Sequence, residues 1–411
     1  MTLSNDRRDF LKTASLLGFG ATVPAFLGRT AMAAPNNKQT GAKDTVLVVV
    51  QLTGGNDGLN TVIPFKDPAY AKLRPTLAIP ASQVRKLNDD IGLHPRMDGL
   101  AGLLQDGSLC VVQGVGYPNP SQSHFRSMDV WQAASTEATL TEGWLGKSLK
   151  TLNAPSFHLA AGNESSPLAL TGAPARVPSI TSLEDFQLKT SGATGKDKAN
   201  QRSVIESAAK LSPGQGNLLD FVQRTATSTY DSSKRLQEIG KNYQPKSPYP
   251  GTPLAERLKL AAQLISAEVG ARIFYVSIDG FDTHASQAAS HGNLLATVSD
   301  AITAFYKDLA ARGQKDRVLV MTFSEFGRRA GENGSQGTDH GSGAPVLLVG
   351  GKVKAGIVNA HPDLTKLDDG NLKHSMDFRQ VYASVLEQWL GVPSEPVLGG
   401  KYAQAEIFAR K

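Results

Sequence analysis

Two carboxylates and an imidazole follow an apolar run in segment 278–284, which reads IDGFDTH. Asp279, Asp282 and His284 are side chains that bind divalent metals, and they stand close together at the predicted end of a strand. In the simpler interpretation, the two aspartates shape a turn and His284 caps the next helix. We favour a metal site, because three ligand-type side chains converge there.

A second polar group follows another apolar run, in the segments SEFGR (324–328) and GTDHGSG (337–343). Glu325, Asp339 and His340 are further metal-ligand candidates, and Arg328 is suited to clamping an oxyanion. Taken alone, SEFGR also fits the start of a helix. The Asp-His-Gly step between glycines is harder to explain as a turn alone, so we retain all four residues as site candidates.

Ser121 and Ser123 stand just before a helical pattern that runs through Trp131. A serine in the first turn of a helix faces unpaired N–H groups and the positive end of the helix dipole. That environment stabilises a nucleophilic oxyanion or a bound phosphate. The alternative is that these serines are simple helix caps, which is their commonest role at such positions.

Asp57 lies in the glycine-rich segment TGGNDG (53–58), after the first apolar run of the chain. The glycines allow the backbone to approach a ligand closely, and the carboxylate of Asp57 could bind a metal. Asn, Asp and Gly also concentrate in turns. By itself, this segment is interpreted as a turn.

The elements that must position these residues are short apolar runs that predict buried strands of an α/β sheet. They are Thr45–Leu52, Ser108–Gly114, Arg272–Ile278, Arg317–Phe323 and Ala344–Val349. Three intervening segments have helical spacing of apolar residues: Pro95–Leu104, Asn293–Arg312 and Asp377–Leu390. This alternation predicts a doubly wound, mostly parallel sheet with helices on both faces, and a site at the carboxyl ends of its strands.

Residues 35–411 are predicted to form one such α/β domain, interrupted by a helical insertion at about 179–251. The insertion is rich in Ser, Thr, Lys, Gln and Gly, with helical patterns at 201–210 and 218–239. The prolines at its exit stop helix propagation. We expect it to pack on the sheet without forming a catalytic domain of its own.

Residues 1–34 are predicted to be a twin-arginine signal peptide. Arg7 and Arg8 lead into Phe-Leu-Lys, an apolar run spans 13–27, and Ala31-Met32-Ala33 offers a small-x-small cleavage site. The run is shorter than the ~20 apolar residues of a membrane span, so we expect no stable span. The expected partner during export is the twin-arginine translocase, and the expected destination is the periplasm or the extracellular space.

Composition limits the other function classes. A formal charge of +6 without a long basic run gives no sign of a nucleic-acid partner. The single cysteine, Cys110, lies among apolar residues and cannot form an internal disulfide. A redox role lacks support, since neither a cysteine cluster nor a dinucleotide glycine fingerprint is present.

The motifs SHFRSMDVW, DGFDTH, SEFGR and GTDHGSGAPVLLVGG occur in this order along the chain. Together they resemble the bacterial domain-of-unknown-function 1501 family, over nearly the whole chain after the signal. That family is similar to the alkaline phosphatase-like superfamily of metal-dependent phosphatases, phosphodiesterases, sulfatases and phosphomutases. The resemblance implies an α/β core with a two-metal site and a nucleophile at a helix start.

At the residue level, the resemblance implies that Asp279 or Asp282 forms the first metal site with His284 and His340. Ser123 is the first choice for the nucleophile, and Ser121 is the second. The second metal site departs from the pattern, because Asp57 is displaced along the chain and Glu325 stands near the place of an Asp-His pair.

The leading hypothesis is therefore an exported metal-dependent hydrolase of phosphate or sulfate esters. Its cofactor would be zinc, manganese, magnesium or calcium, and its substrate a small-molecule or glycan ester. Two metal ions would polarise the ester and activate Ser123, and Arg328 would neutralise charge on the transferred group. The alternative is a non-catalytic envelope protein that keeps the fold and binds a polysaccharide or a protein.

Overall fold

A computed structural model describes residues 45–183, 238, 240 and 242–410 of the chain. The predicted signal peptide at 1–34 lies outside the described residues. Most of the predicted helical insertion at about 179–251 also lies outside them, together with nearly all of its two helical patterns. The fold is therefore the fold of the segments on either side of that insertion.

The strands of the described residues are numbered in chain order. They are β1 (Val46–Leu52), β2 (Val62–Ile63), β3 (Arg85–Lys86), β4 (Gly92–Leu93), β5 (Leu109–Gly116), β6 (Ser156–Leu159), β7 (Ser179–Ile180), β8 (Ile273–Ile278), β9 (Val318–Phe323), β10 (Ala344–Gly350), β11 (Gly356–Val358) and β12 (Met376–Asp377). The α-helices are α1 (Gly58–Thr61), α2 (Pro68–Leu73), α3 (Asp98–Gln105), α4 (His124–Ala133), α5 (Trp144–Leu152), α6 (Pro253–Ser266), α7 (Gln287–Ala311), α8 (Phe378–Ser384) and α9 (Ser394–Leu398).

The main sheet has the strand order β11-β5-β10-β9-β1-β8-β6. β1 pairs in parallel with β8 and β9, β6 pairs in parallel with β8, and β11 pairs in parallel with β5. β10 is the exception, since it runs antiparallel to both β5 and β9. The sheet is thus mostly parallel and flanked by helices, which confirms the predicted α/β class.

The central strands form because their side chains are apolar on both faces. All seven residues of β1 are buried, as are those of β9 and β10. Continuous burial of this kind is typical of sheets covered by helices on both sides. Smaller strands form a separate sheet with the order β2-β4-β3.

Helix α4 is fixed to the sheet through an aromatic stack. Trp131 is 2% exposed and stacks on Phe378 and Phe323, at centroid distances of 4.4 Å and 5.7 Å. On the same helix, the Ser127 hydroxyl donates to the Glu325 carbonyl. These contacts hold the first turn of α4 beside the segment that follows β9.

The chain divides into two compact units. The larger unit comprises residues 39–179, 245–262 and 272–411 and contains β1 to β6 and β8 to β12. The smaller comprises residues 1–38, 180–244 and 263–271, of which 263–271 continues α6 into a turn closed by Glu268 N donating to Ile265 O at 3.1 Å. Within the described part of the chain, no helix is long and apolar enough to cross a membrane.

Candidate active site

The predicted site segments meet at one edge of the sheet. Parallel strands end at a common edge, so the segments after β1, β5, β8 and β9 emerge together there. Because β10 runs the other way, it begins at that edge and brings the preceding segment 338–343 to the same place. The carbonyl of Phe281 and that of Thr338 both accept from Arg328, which shows how closely these segments pack.

Asp282, His284 and His340 come together at the centre of this edge. Asp282 Oδ1 lies 3.0 Å from Nε2 of His284 and 3.2 Å from Nε2 of His340. The two imidazole Nε2 atoms are 2.9 Å apart. Asp282 and His284 stand on the loop after β8 and His340 on the loop before β10, and the three side chains aim ligand atoms at one small region.

The Nδ1 atoms of His284 and His340, which point away from the cluster, face hydrogen-bond acceptors. Nδ1 of His340 lies 2.8 Å from the Gln122 carbonyl, and Nδ1 of His284 lies 3.4 Å from Asp339 Oδ1. A carbonyl or carboxylate oxygen can only accept, so Nδ1 carries the proton and Nε2 keeps its lone pair. A histidine that binds a metal is typically held in this way.

His124 is a fourth member of the cluster that the sequence analysis did not assign. It is the first residue of α4, and its Nδ1 lies 2.8 Å from Glu325 Oε1. Its Nε2 lies 3.5 Å from Asp282 Oδ1. Ligand atoms of His124, Asp282 and His340 all lie within 4.8 Å of one another. The available signal was its position inside the motif SHFRSMDVW, directly after a candidate nucleophile.

Arg328 is buried beneath the cluster, with 1% of its surface exposed. Its Nη2 donates to Asp282 Oδ1 at 2.7 Å and also to the carbonyls of Gly54 and Phe281. Its Nε donates to the Gly55 carbonyl at 2.7 Å. One guanidinium therefore ties together the segments after β1, β8 and β9, and it places a fixed positive charge beside Asp282.

The positive charge of Arg328 stabilises the ionised form of Asp282. Burial by itself would raise the pKa of Asp282, but the hydrogen bond and the positive charge of Arg328 outweigh that effect. The pKa of this carboxyl is lowered to about 2. The pKa of Asp339 is also lowered, and the main cause is the hydrogen bond that its carboxylate accepts from Asn333.

Ser123 occupies the N-cap position of α4, and its side chain makes no capping hydrogen bond. Its neighbours on both sides contact the cluster, through the Gln122 carbonyl and the His124 ring. The Ser121 hydroxyl instead accepts from the Ser123 backbone N–H at 3.2 Å. Of the two candidate serines, Ser123 has the hydroxyl that this local hydrogen bonding leaves available.

Besides Asp339, three other predicted ligands lie around the cluster and not in it. Glu325 is fully buried and accepts from Gly54 N at 2.8 Å as well as facing His124. Asp57 caps α1 and pairs with the buried Arg74. Burial would raise the pKa of Asp57, but Arg74 holds it below the ordinary value of 3.8. Asp279 is exposed at the end of β8, and the cluster's ion pairs involve Asp282 in its place.

Close packing sets the shape of the site. Gly54 has φ +116°, and a Cβ there would lie 2.4 Å from Asp282 N, so only glycine fits. Phe326 is 1% exposed, and its ring centroid lies 4.9 Å from that of His124 and 4.8 Å from that of His340. The aromatic ring forms an apolar wall behind two of the imidazoles.

Several solved structures are similar to this chain over most of its length. The lipoteichoic acid synthase LtaP from Listeria monocytogenes is 10% identical with a TM-score of 0.41, covering 91% of this chain and 80% of that one. The PsFucS1 sulfatase from Pseudoalteromonas sp. is 13% identical with a TM-score of 0.38, covering 94% and 78%. The alkaline phosphatase from the Antarctic bacterium TAB5 is 12% identical with a TM-score of 0.32, covering 75% and 92%.

No significant match was found among curated protein sequences. A family model does match, under the description "Protein of unknown function (DUF1501)", and the match spans residues 44–397. That span contains all the strands of the main sheet and every residue of the cluster. On this match, the chain belongs to the DUF1501 family.

Proposed function

We propose that the protein is a metal-dependent hydrolase of phosphate or sulfate esters. The observation that carries this proposal is the convergence of Asp282, His284 and His340 on one point, with both Nδ1 atoms held by acceptors. An ionised carboxylate with imidazole lone pairs is a donor set that fits a divalent ion. A bound ion would supply a Lewis acid that polarises an ester oxygen.

The chain's own groups would divide the remaining work. Ser123 is the proposed nucleophile, because its hydroxyl lies at the N-terminal end of α4 between two residues that contact the cluster. The helix dipole and the unpaired N–H groups of that first turn favour an anionic group there. Arg328 contributes a buried positive charge at the same edge of the sheet, although its N–H groups are used within the protein.

The proposal extends to export, which rests on the sequence of residues 1–34. We propose that the twin-arginine translocase carries the folded chain to the periplasm or beyond. Replacement of Arg7 and Arg8 by lysine should leave precursor in the cytoplasm, and cell fractionation measures this directly. Mature protein of the double variant in the periplasm would overturn the proposed route.

The hydrolase is tested by combining metal analysis with ester turnover. Protein purified without chelators should contain a stoichiometric divalent metal and should cleave at least one of a panel of aryl phosphate monoesters, diesters and aryl sulfates. His284→Ala with His340→Ala should abolish tight metal binding. It should also lower Tm, because an ion that binds the folded state at a hundredfold excess over its Kd adds about 2.7 kcal/mol.

The opposite result has a definite meaning. The hydrolase proposal would be overturned if the purified protein contained no metal and turned over no ester after zinc, manganese, magnesium or calcium was added. The alternative of a non-catalytic envelope binding protein would then take its place. Wild-type metal content in the double variant would show that the metal binds elsewhere.

A further inference from the structure

Among the described residues, Nε2 of His124 is a buried nitrogen without a hydrogen-bond partner. Its Nδ1 faces the carboxylate of Glu325 at 2.8 Å, so the proton is on Nδ1 and the lone pair is on Nε2. Asp282 Oδ1, at 3.5 Å, is itself an acceptor and cannot satisfy that lone pair. A buried acceptor left unpaired costs about 1–3 kcal/mol, which calls for an explanation.

His124 Nε2 belongs to a group of four acceptor atoms, with Asp282 Oδ1 and the Nε2 atoms of His284 and His340. Arg328 donates to Asp282 Oδ1 at 2.7 Å, and its Nη1 lies 3.4 Å from Nε2 of His284. Nε2 of His284 and Nε2 of His340 lie 2.9 Å apart, and both face Asp282 Oδ1. Lone pairs held this close repel one another unless a cation lies between them. Each of the three imidazoles has its Nδ1 turned to an acceptor: Glu325, Asp339 or the Gln122 carbonyl. Every one of the three imidazoles therefore has an acceptor that holds its Nδ1 proton and orients its ring.

The spacing of the four atoms also fits an ion. Four ligands bonded at 2.0–2.1 Å in a tetrahedron are about 3.3 Å from one another. Four of the six separations among these atoms are 2.9, 3.0, 3.2 and 3.5 Å, and the ligand atoms of His124, Asp282 and His340 all lie within 4.8 Å of one another. His284 is exposed and the other two rings are partly buried, so small ring movements would bring these four separations to the tetrahedral value.

We propose that His124, Asp282, His284 and His340 together bind a single divalent transition-metal ion. The inference rests on the metal site of the proposed function and makes it more specific. Three imidazoles and one carboxylate favour zinc and its first-row neighbours, whereas magnesium and calcium prefer all-oxygen sets. A resident magnesium or calcium ion is thereby disfavoured.

We expect a single ion, because the neighbouring carboxylates already have partners within the protein. Asp57 pairs with Arg74, and Glu325 accepts from Gly54, Ser324 and His124. Arg328 already supplies a positive charge 2.7 Å from Asp282. The described residues therefore hold ligands for one ion, with a guanidinium beside it.

The fourth ligand would also couple the metal to the candidate nucleophile. His124 is the first residue of α4, and Ser123 precedes it at the N-cap. Binding of an ion by the His124 ring would fix the first turn of α4 relative to Asp282. His124 would thus act as a positioning residue for Ser123 as well as a ligand.

The test uses cobalt(II) as a spectroscopic probe. The full chain without its signal is stripped of metal and titrated with Co²⁺, which absorbs strongly in the visible when four-coordinate and weakly when six-coordinate. We expect one equivalent to bind with strong absorption and to be displaced by one equivalent of zinc. His124→Ala should weaken Co²⁺ binding at least tenfold and change the visible spectrum, whereas His374→Ala, outside the cluster, should do neither.

Folding is checked by circular dichroism, and His124→Gln replaces the alanine variant if that variant is unfolded. An unchanged cobalt spectrum and affinity in a folded His124 variant would overturn the proposal, as would two tightly bound equivalents in the wild type. The two proposals fail separately. His124-dependent binding of one ion without ester turnover defeats only the hydrolase, and ester turnover with His124-independent metal binding defeats only this ligand assignment.

Discussion

Histidines of this chain show how the surroundings of a residue decide its chemistry. His124 and His291 have the same side chain, but His124 Nε2 faces the carboxylate of Asp282, whereas His291 Nε2 lies 2.9 Å from the amide oxygen of Asn56. Burial lowers the pKa of His291 to about 4, so it stays neutral inside the protein. The first has the geometry of a ligand, and the second has that of a core hydrogen-bond donor.

Ser123 provides the sharpest prediction at this scale. Ser123→Ala should remove nearly all ester turnover, because the nucleophilic oxygen is lost. The fold should persist, since loss of even a working helix cap costs only about 0.5–2 kcal/mol. Turnover per metal-loaded protein is the measurement, with Ser121→Ala as the matched control. Loss of activity in the control alone would move the role to Ser121.

Three residues of the cluster were singled out from the sequence, but His124 was not. The grouping of Asp282 with His284 and the Asp-His step at His340 were visible as unusual clusters of ligand-type residues. His124 was missed because a single imidazole at a helix start has no partner nearby in sequence. Its partners, Glu325 and Asp282, come from distant strands.

The positions of the strands were predicted more accurately than the directions in which they run. Five apolar runs predicted β1, β5, β8, β9 and β10, and each observed strand begins and ends within two residues of its run. The antiparallel course of β10 was not predicted, because a strand buried on both faces has the same apolar pattern in either direction. Yet this direction is what brings His340 to the edge where the other site segments lie.

Arg328 holds together the loops after β1, β8 and β9, so replacing it tests how the strands and their loops are joined. Lysine keeps the charge but lacks the planar fork of donors. Arg328→Lys should lower stability by at least about 3 kcal/mol, since several buried carbonyls lose their donors. The Tm of metal-free protein is the measurement.

The neighbouring arginine offers a matched control. Arg329 pairs with the exposed Asp369 at 3.2 Å, and exposed ion pairs contribute about 0–1 kcal/mol. Arg329→Lys should therefore change Tm little. Equal effects of the two substitutions would show that Arg328 does not organise the site loops.

For the whole molecule, the polar groups beneath the site link folding to pH. Burial lowers the pKa of His94 and of His291 to about 4 each, with Arg96 lowering that of His94 further and Asp57 opposing the shift in both. In the unfolded chain both rings titrate near 6.5. Below that pH the unfolded chain binds protons that the folded chain does not, so acid favours unfolding.

Stability should consequently fall as the pH drops from about 6.5 to about 4, with a slope of up to about 1.4 kcal/mol per pH unit for each histidine. Urea unfolding in the presence of a chelator measures this slope without a contribution from bound metal. His94→Gln and His291→Gln should each remove part of it. A slope that survives in the double variant would assign the acid sensitivity to other groups.

The central position of β1 has a consequence for how the protein is made. This strand leaves the ribosome early, but both of its partners, β8 and β9, lie in the second half of the chain. Such distant pairing is slow to form, because a long loop must close before its contacts compensate the lost entropy. His340 and β10 are translated later still. If the proposed metal site is correct, a nascent chain arrested before residue 340 should retain no metal, because it lacks His340 and β10.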